Sequence, residues 1–266
     1  MPVFEHDGIK MHFERSGDGP PLLLIAGMMS DSASWAPLVP LLERHFTVIR
    51  PDNRTTGRTV PWDAPATIDK FAFDCAALMD RISIGRAHVV GHSLGGMIGM
   101  RMATQYAENV KSLTLLAAAP LQLERNVQLY RTLLAIRQSN AKPEVWLNAL
   151  FLWLFAPSLC ETPGALAKAT QAALAYPYAQ TPAAMAHQLA ALDGYAPEAP
   201  VDLPCPTQAL LGADDLLVPA GHAKAALGDI PAHMIADASH SVHWDQPEAV
   251  AEHLRRFIDD NEDRPS

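Results

Sequence analysis

A serine with small neighbours stands between a predicted strand and a predicted helix. Ser93 is flanked by Gly91 and Gly95 in the order G-x-S-x-G, after the apolar stretch 87–90 and before an apolar run of helical period. Because a side chain on such a tight turn tolerates no bulky neighbours, the glycines predict a hydroxyl presented above a strand end. A serine hydroxyl is a weak nucleophile, so this chemistry also requires a base and an acid that orients the base. The alternative is a glycine-rich turn that only packs a helix.

The strand-turn-helix setting of Ser93 resembles the nucleophile elbow of the α/β-hydrolase family. In that family the triad follows the chain order serine, acid, histidine, and the histidine lies after the last strand. Residues 238–248, ASHSVHWDQPE, resemble this region. The resemblance places the base at His240, seven residues before Pro247, where the terminal helix is expected to open. His243 lies in the same loop and remains the alternative base.

The acid is predicted from residues 211–219, LGADDLLVP, which resemble the family's G-x-x-D-x-x-x-P pattern. The resemblance assigns the catalytic carboxylate to Asp215. Asp214 is the near alternative, since one member of an adjacent Asp pair after a strand can serve turn formation or helix capping alone. Asp237 is closer to His240 along the chain but is expected late in a strand, which makes it a third candidate.

A tetrahedral intermediate needs backbone N–H groups directed at its oxyanion. The resemblance implies that one donor is Leu94, next to the nucleophile, and that the second follows an early strand. The matching stretch is IAGMM, residues 25–29, which makes Met28 the second donor. Ala26 stands where the family often has a histidine, so the hydrogen bonds of that side chain are absent from this loop.

Short apolar, β-branched runs alternate with segments of helical period, which predicts an α/β fold with a mostly parallel central sheet and helices on both faces. An Asp-Gly turn at residues 7–8 predicts an antiparallel hairpin at the start. The expected strands are 3–5, 9–15, 21–26, 46–50, 87–90, 110–117, 208–211 and 233–235. The expected helices are 35–44, 68–82, one directly after residue 93, and 247–259. Asp245 is the predicted cap of the last helix.

Residues 121–200, called the insert from here on, interrupt this alternation. They have helical periodicity, offer no good strand candidate, and are broken by prolines such as Pro143 and Pro157. The chain is therefore divided into an α/β-hydrolase core of residues 1–120 and 201–266 and a helical cap formed by the insert. Four aromatic residues of the insert are expected either to line an apolar substrate pocket or to form the apolar core of the insert itself. They are Trp146, Phe151, Trp153 and Phe155.

Composition excludes several classes of partner. The net charge of −9 would repel phosphate backbones and anionic lipid, so no nucleic-acid partner is expected. The apolar runs are too short to span a bilayer, so no membrane association is expected. Three scattered cysteines without C-x-x-C spacing argue against a disulfide framework, and no secretory signal is visible. A cytoplasmic location is the expectation that fits best.

Two further motifs bear on the site. Residues 51–59 resemble the D-x-R-G-x-G-x-S loop of many capped members, and Asp52 and Arg54 are interpreted as its structural anchors, with substrate contact as the alternative. His88 and His92 have H-x-x-x-H spacing but are expected to straddle a strand and a turn, so they cannot share a helical face as zinc ligands. No metal is therefore expected. The serine chemistry proposed for Ser93 also needs no cofactor.

The chain resembles capped small serine hydrolases of the α/β-hydrolase superfamily, of the 3-oxoadipate enol-lactonase-like and carboxylesterase kind. The resemblance implies cleavage of a small-molecule carboxylic ester or lactone through an acyl-enzyme. Alternatives on the same triad are carbon–carbon bond hydrolysis and cofactor-free perhydrolysis, which relatives run on this fold. A non-catalytic ligand-binding member is a third hypothesis. A serine at position 93 speaks against haloalkane dehalogenases and epoxide hydrolases, which use a carboxylate, and the oligomeric state stays open.

Overall fold

The computed structural model describes residues 3–193, 195–197 and 202–262, and in this part of the chain eight strands form one sheet. The strands are β1 (Val3–His6), β2 (Ile9–Ser16), β3 (Pro21–Ile25), β4 (Thr47–Pro51), β5 (Ala87–His92), β6 (Val110–Leu116), β7 (Thr207–Gly212) and β8 (Ala232–Ile235). Their order is β1-β2-β4-β3-β5-β6-β7-β8. β2 pairs antiparallel with β1 and β4, and every later pair is parallel. This confirms the predicted α/β fold with its opening hairpin.

Helices connect the strands and cover the sheet. They are α1 (Val39–Leu42), α2 (Ile68–Arg81), α3 (Leu94–Gln105), α4 (Glu124–Gln138), α5 (Pro143–Leu154), α6 (Pro157–Glu161), α7 (Ala165–Ala175), α8 (Pro182–Ala190), α9 (Ala220–Leu227), α10 (Val242–Asp245) and α11 (Pro247–Asp259). Short 3-10 turns lie at Ser32–Trp35 and Ala107–Asn109. Within the described residues, no helix combines the length and apolar character that crossing a bilayer requires.

The sheet has an apolar layer on each face. Along β3, Leu23 and Ile25 pack into the cluster that includes α2 and α3, whereas Leu22 and Leu24 pack into the cluster that includes α1 and α11. Alternate residues of a strand point to opposite faces, so a strand covered on both sides is apolar at most positions. This explains the continuous apolar run of β3 in the sequence.

Two helix predictions were wrong in detail. The helix expected at 35–44 is a 3-10 turn followed by the short α1, because Pro37 and Pro40 lack the N–H donors that a continuous helix needs. Asp245 does not cap α11. Its carboxylate accepts hydrogen bonds from the backbone N–H groups of Ser239 (2.8 Å) and Ala156 (3.1 Å), so a tertiary contact takes the place of the local one.

The insert follows β6, and its described part consists of the helices α4 to α8 and the connections between them. Its helices share a small apolar cluster around Leu133, Leu150, Phe151 and Met185. The predicted end of the insert at residue 200 lies outside the described residues. The division into core and cap therefore stays a prediction.

Candidate functional site

Ser93 occupies the sharp turn between β5 and α3. Its backbone has φ 52° and ψ −115°, a conformation that non-glycine residues rarely adopt. The turn is held on both sides, since Ser93 N donates to the Leu116 carbonyl of β6 (3.0 Å) and Gly96 N donates to the Ser93 carbonyl (2.8 Å). Such strain persists only where the surrounding structure fixes it, and it clusters at functional sites.

The glycines on either side of Ser93 are required by close backbone contacts. A Cβ added to Gly91 would lie 2.1 Å from the carbonyl oxygen of Gly95, and one added to Gly95 would lie 2.0 Å from that of Ile25. Backbone atoms cannot move away as a flexible side chain would, so both positions exclude alanine. The strand-turn-helix setting predicted for Ser93 is confirmed.

His240 and Asp215 form a buried pair on neighbouring loops. His240 follows β8 and Asp215 follows β7, and His240 Nδ1 lies 2.9 Å from Asp215 Oδ2. The other carboxylate oxygen accepts from the N–H groups of Leu217 (2.7 Å) and Val218 (2.9 Å). Burial would raise the pKa of Asp215, but the facing His240 and these hydrogen bonds outweigh it and lower the pKa below its usual value. The carboxylate is thus ionised and fixed in orientation.

The alternative carboxylates do not reach this pair. Asp214 is exposed, and its backbone N–H donates to the Ala238 carbonyl, as a turn residue would. Asp237 is also exposed and lies in a turn after β8 with φ 50°, not within the strand as expected. The structure therefore brings Asp215, and neither of its rivals, to His240.

The alternative base, His243, is buried behind His240. Its ring centroid lies 4.7 Å from that of Trp35 and 4.6 Å from that of His92, and burial holds its pKa well below the usual value. It does not line the pocket described below. His243 therefore stays neutral and lacks access to a substrate.

His92 is the last residue of β5, so both histidines of the H-x-x-x-H pair lie on the strand and the predicted strand-to-turn division was wrong. His92 Nε2 lies 2.9 Å from the His240 carbonyl oxygen. Burial and the charge of His240 lower the pKa of His92 to about 3. A neutral ring can donate here, which ties the elbow to the histidine loop. His88 instead contacts Ser112 and Glu262.

A pocket of about 870 Å³, counting its open mouth, contains the side chains of both Ser93 and His240. Most of its wall is apolar, with contributions from residues that follow β3 and β6, from α3 and α4, and from the end of α8 and the residues after it. Its remaining polar residues are Gln122, Asn126, Tyr130, Arg131, Asp193 and Tyr195. A largely apolar cavity with a few convergent polar groups is the usual form of a small-molecule site.

Met28 and Leu94 line the same pocket. Leu94 is the first residue of α3, so its N–H has no partner within the helix. Among the described residues, no acceptor faces the N–H of Leu94 or of Met28. Two open backbone donors beside Ser93 are what an oxyanion site requires, although their assignment stays a prediction.

The four aromatic residues that the sequence singled out in the insert do not line this pocket. Phe151 is buried in the insert's cluster, where Phe155 meets it edge to face. The guanidinium group of Arg137 lies over the ring of Trp146, and that of Arg125 lies over the ring of Trp153. The aromatic rings in the wall are those of Tyr130, on α4, and Tyr195. Burial and the nearby Asp215 raise the pKa of Tyr130, so its hydroxyl is a neutral donor. Nothing local in the sequence distinguishes Tyr130, because its place depends on how α4 packs.

The loop after β4 is anchored as the sequence predicted. The fully buried Arg54 pairs bidentately with Asp74 of α2 at 2.6 Å, and it also contacts Asp7. Asp52 accepts from the N–H groups of Ser32 and Arg58, both at 2.9 Å. Asp52 and Arg54 line no part of the pocket, which favours their structural interpretation.

Known proteins resemble this chain over nearly its whole length. The profile of the alpha/beta hydrolase family matches residues 22–253. A RutD protein of Azorhizobium caulinodans, provisionally named a carbamate hydrolase, is 30% identical over 248 residues, which cover 91% of each protein.

Solved structures give the same result for the fold. A thermophilic esterase from Thermogutta terrifontis has a TM-score of 0.81 at 26% identity, with 95% of this chain and 94% of the esterase covered. An enol-lactonase from Burkholderia xenovorans also has a TM-score of 0.81, at 24% identity, with 97% of this chain and 100% of the lactonase covered. At that identity the second likeness indicates the fold alone.

Proposed function

Since this chain belongs to the alpha/beta hydrolase family, we propose that it is a serine hydrolase that cleaves a carboxylic ester or lactone of a small molecule. One observation carries the proposal. The hydrogen-bonded pair of His240 and Asp215 lies at a pocket that is also lined by the strained Ser93. The hydrolases among the relatives support an enzyme rather than a ligand-binding member.

In the proposed mechanism, Asp215 accepts the Nδ1–H of His240, which leaves Nε2 as the acceptor for the Ser93 proton. Ser93 Oγ attacks the acyl carbon, and the carbonyl oxygen becomes an oxyanion that the N–H groups of Met28 and Leu94 stabilise. The C–O bond to the leaving group breaks as His240 returns the proton to it. Water, deprotonated by His240, then attacks the acyl-enzyme and releases the acid and Ser93.

The pocket wall favours an apolar acyl or alcohol group. Leu94, Met97, Leu121, Val127 and Leu217 surround the space beside Ser93, and removing apolar substrate surface from water contributes about 25 cal/mol per Å². Since α4 and residues beyond α8 supply part of the wall, we also propose that the insert acts as a cap on the core.

Carbamate hydrolysis is the second candidate, and the 30% identical RutD protein favours it. The carbonyl carbon of a carbamate is open to the same attack by Ser93. A small polar carbamate would leave much of the apolar wall without contact, so the pocket favours the ester.

Activity profiling with a fluorophosphonate, followed by p-nitrophenyl esters, small lactones and a p-nitrophenyl carbamate, tests this function. We expect covalent labelling at Ser93 and ester or lactone turnover, and Ser93→Ala should abolish labelling and reduce kcat at least about 10⁴-fold. Equal labelling of Ser93→Ala and the parent would show that the nucleophile is another residue. Turnover of the carbamate alone would establish the second candidate instead.

A further inference from the structure

The turn that carries the predicted donor Met28 is bound to the insert. The next residue, Met29, has φ 60°, and its backbone N–H donates to Gln188 Oε1 at 2.9 Å. Gln188 lies on α8 and is fully buried. The contact joins positions 159 residues apart, so one side chain of the insert holds the turn after β3.

Two donors fix the orientation of the Gln188 amide. Besides Met29 N–H, the side-chain Nε2 of Gln180 donates to the same oxygen at 3.1 Å, and it also donates to the Thr55 carbonyl at 2.9 Å. Rotating the Gln188 amide would place an NH₂ group against both donors. The oxygen must therefore face the turn.

This buried cluster stabilises the fold poorly. Three buried polar atoms have no hydrogen-bond partner among the described residues: Gln188 Nε2, Gln180 Oε1 and Thr55 Oγ1. Burying a polar group without a hydrogen bond costs free energy, so stability alone does not account for this cluster. A polar cluster with such a cost requires another explanation.

We propose that Gln188 is a positioning residue that fixes the Met28–Met29 turn so that Met28 N–H faces the pocket beside Ser93. The proposal rests on the proposed function, in which Met28 is an oxyanion donor. With Met29 N–H bound to Gln188, the turn cannot rotate to place that donor elsewhere. An oxyanion donor must lie about 2.7–3.1 Å from the developing charge, so small rotations of the turn weaken it.

Replacing the acceptor tests this role. Gln188→Met keeps the length of the side chain but removes the oxygen, and we expect kcat for the best ester substrate to fall about 10- to 100-fold with KM changed less than about threefold. The rate of fluorophosphonate labelling should fall in parallel, because the phosphonyl oxygen also needs the oxyanion donors. Gln188→Glu, whose carboxyl oxygen still accepts, should recover most of the loss.

Gln208→Met is the matched control. Gln208 is also a buried glutamine and donates to Thr114 Oγ1 at 3.2 Å, but it lies near the start of β7, away from the turn. It should keep the kcat and the labelling rate of the parent, because it removes a buried glutamine amide without touching the Met28–Met29 turn. If Gln188→Met fails to fold, Gln188→Asn, whose oxygen is withdrawn by one methylene, should show the same loss of kcat.

Three results would overturn the role of Gln188. The first is a folded Gln188→Met protein whose kcat lies within about twofold of that of the parent. The second is a Gln188→Met protein in which only KM changes. The third is a Gln188→Glu protein that recovers none of the lost kcat. Failure of the proposed function looks different, because the parent protein itself would then show no Ser93-dependent labelling or turnover.

Discussion

At the scale of single residues, the adjacent carboxylates of Asp214 and Asp215 differ in burial and in hydrogen bonding. Asp215 is buried, accepts two backbone N–H groups and faces His240, whereas Asp214 is exposed. Removing the negative charge from Asp215 would leave the tautomer of His240 unfixed and the imidazolium without its partner. The proposed mechanism therefore depends on one carboxylate of the pair.

We expect Asp215→Asn to reduce kcat about 10⁴-fold and Asp214→Asn to change it less than about threefold. Steady-state kinetics with the same ester measures both, and circular dichroism checks that both variants are folded. A large loss in Asp214→Asn with an active Asp215→Asn would reverse the assignment.

At the scale of elements, the approach of α3 to β3 sets the position of Ser93. Gly95, in the first turn of α3, lies so close to β3 that an added Cβ would meet the Ile25 carbonyl at 2.0 Å. Alanine there must push the helix from the strand or distort the turn that carries Ser93. The same substitution has no such effect where the surroundings are open, as at Gly221 in α9.

Gly95→Ala should therefore lower the free energy of unfolding by about 2 kcal/mol or more, or prevent folding, and its folded fraction should label slowly with fluorophosphonate. Gly221→Ala should be neutral or stabilising by up to about 1 kcal/mol. Urea denaturation of both variants measures the difference. Equal stability of the two variants would mean that the elbow tolerates a wider separation of α3 and β3.

At the scale of the whole molecule, buried neutral histidines make stability depend on pH. The pKa of His92 is about 3 in the folded protein, because burial and the charge of His240 disfavour the imidazolium, and about 6.5 in an unfolded chain. Between these values the unfolded state binds more protons, so the free energy of unfolding falls as the pH falls from about 6.5 towards 3. His243 acts in the same direction. The lowered pKa of Asp215 adds a loss below about pH 4.

For His92 the loss between pH 6.5 and pH 5 is about 2 kcal/mol, and His92→Asn should remove about that much of the fall. Urea denaturation from pH 8 to pH 5 gives the slope for each protein. Above pH 7, the free energies of unfolding of the parent and of His92→Asn should differ by a constant amount, because His92 is then neutral in both the folded and the unfolded state. Parallel curves down to pH 5 would show that His92 is protonated in the folded state.

Much of what is local in the chain could be predicted from the sequence. The elbow needs small residues at fixed offsets from Ser93, and an inner strand is largely apolar because both of its faces are covered. Prolines explain the main local error, since Pro37 and Pro40 divide the segment that was expected to be one helix. The predicted cap at Asp245 was wrong because this carboxylate binds the N–H groups of Ser239, in the preceding loop, and of Ala156, in the insert.

Only the tertiary structure decided which side chains meet. It brought Asp215 and not Asp214 to His240. It placed Tyr130 in the pocket wall instead of the four aromatic residues that the sequence had singled out. It also joined Gln188 to Met29. These contacts link segments far apart in the chain, and their geometry depends on the path of loops and the packing of whole helices. Local sequence specifies the conformation of a turn or strand, but the distance between two remote side chains is set by the packing of every element between them.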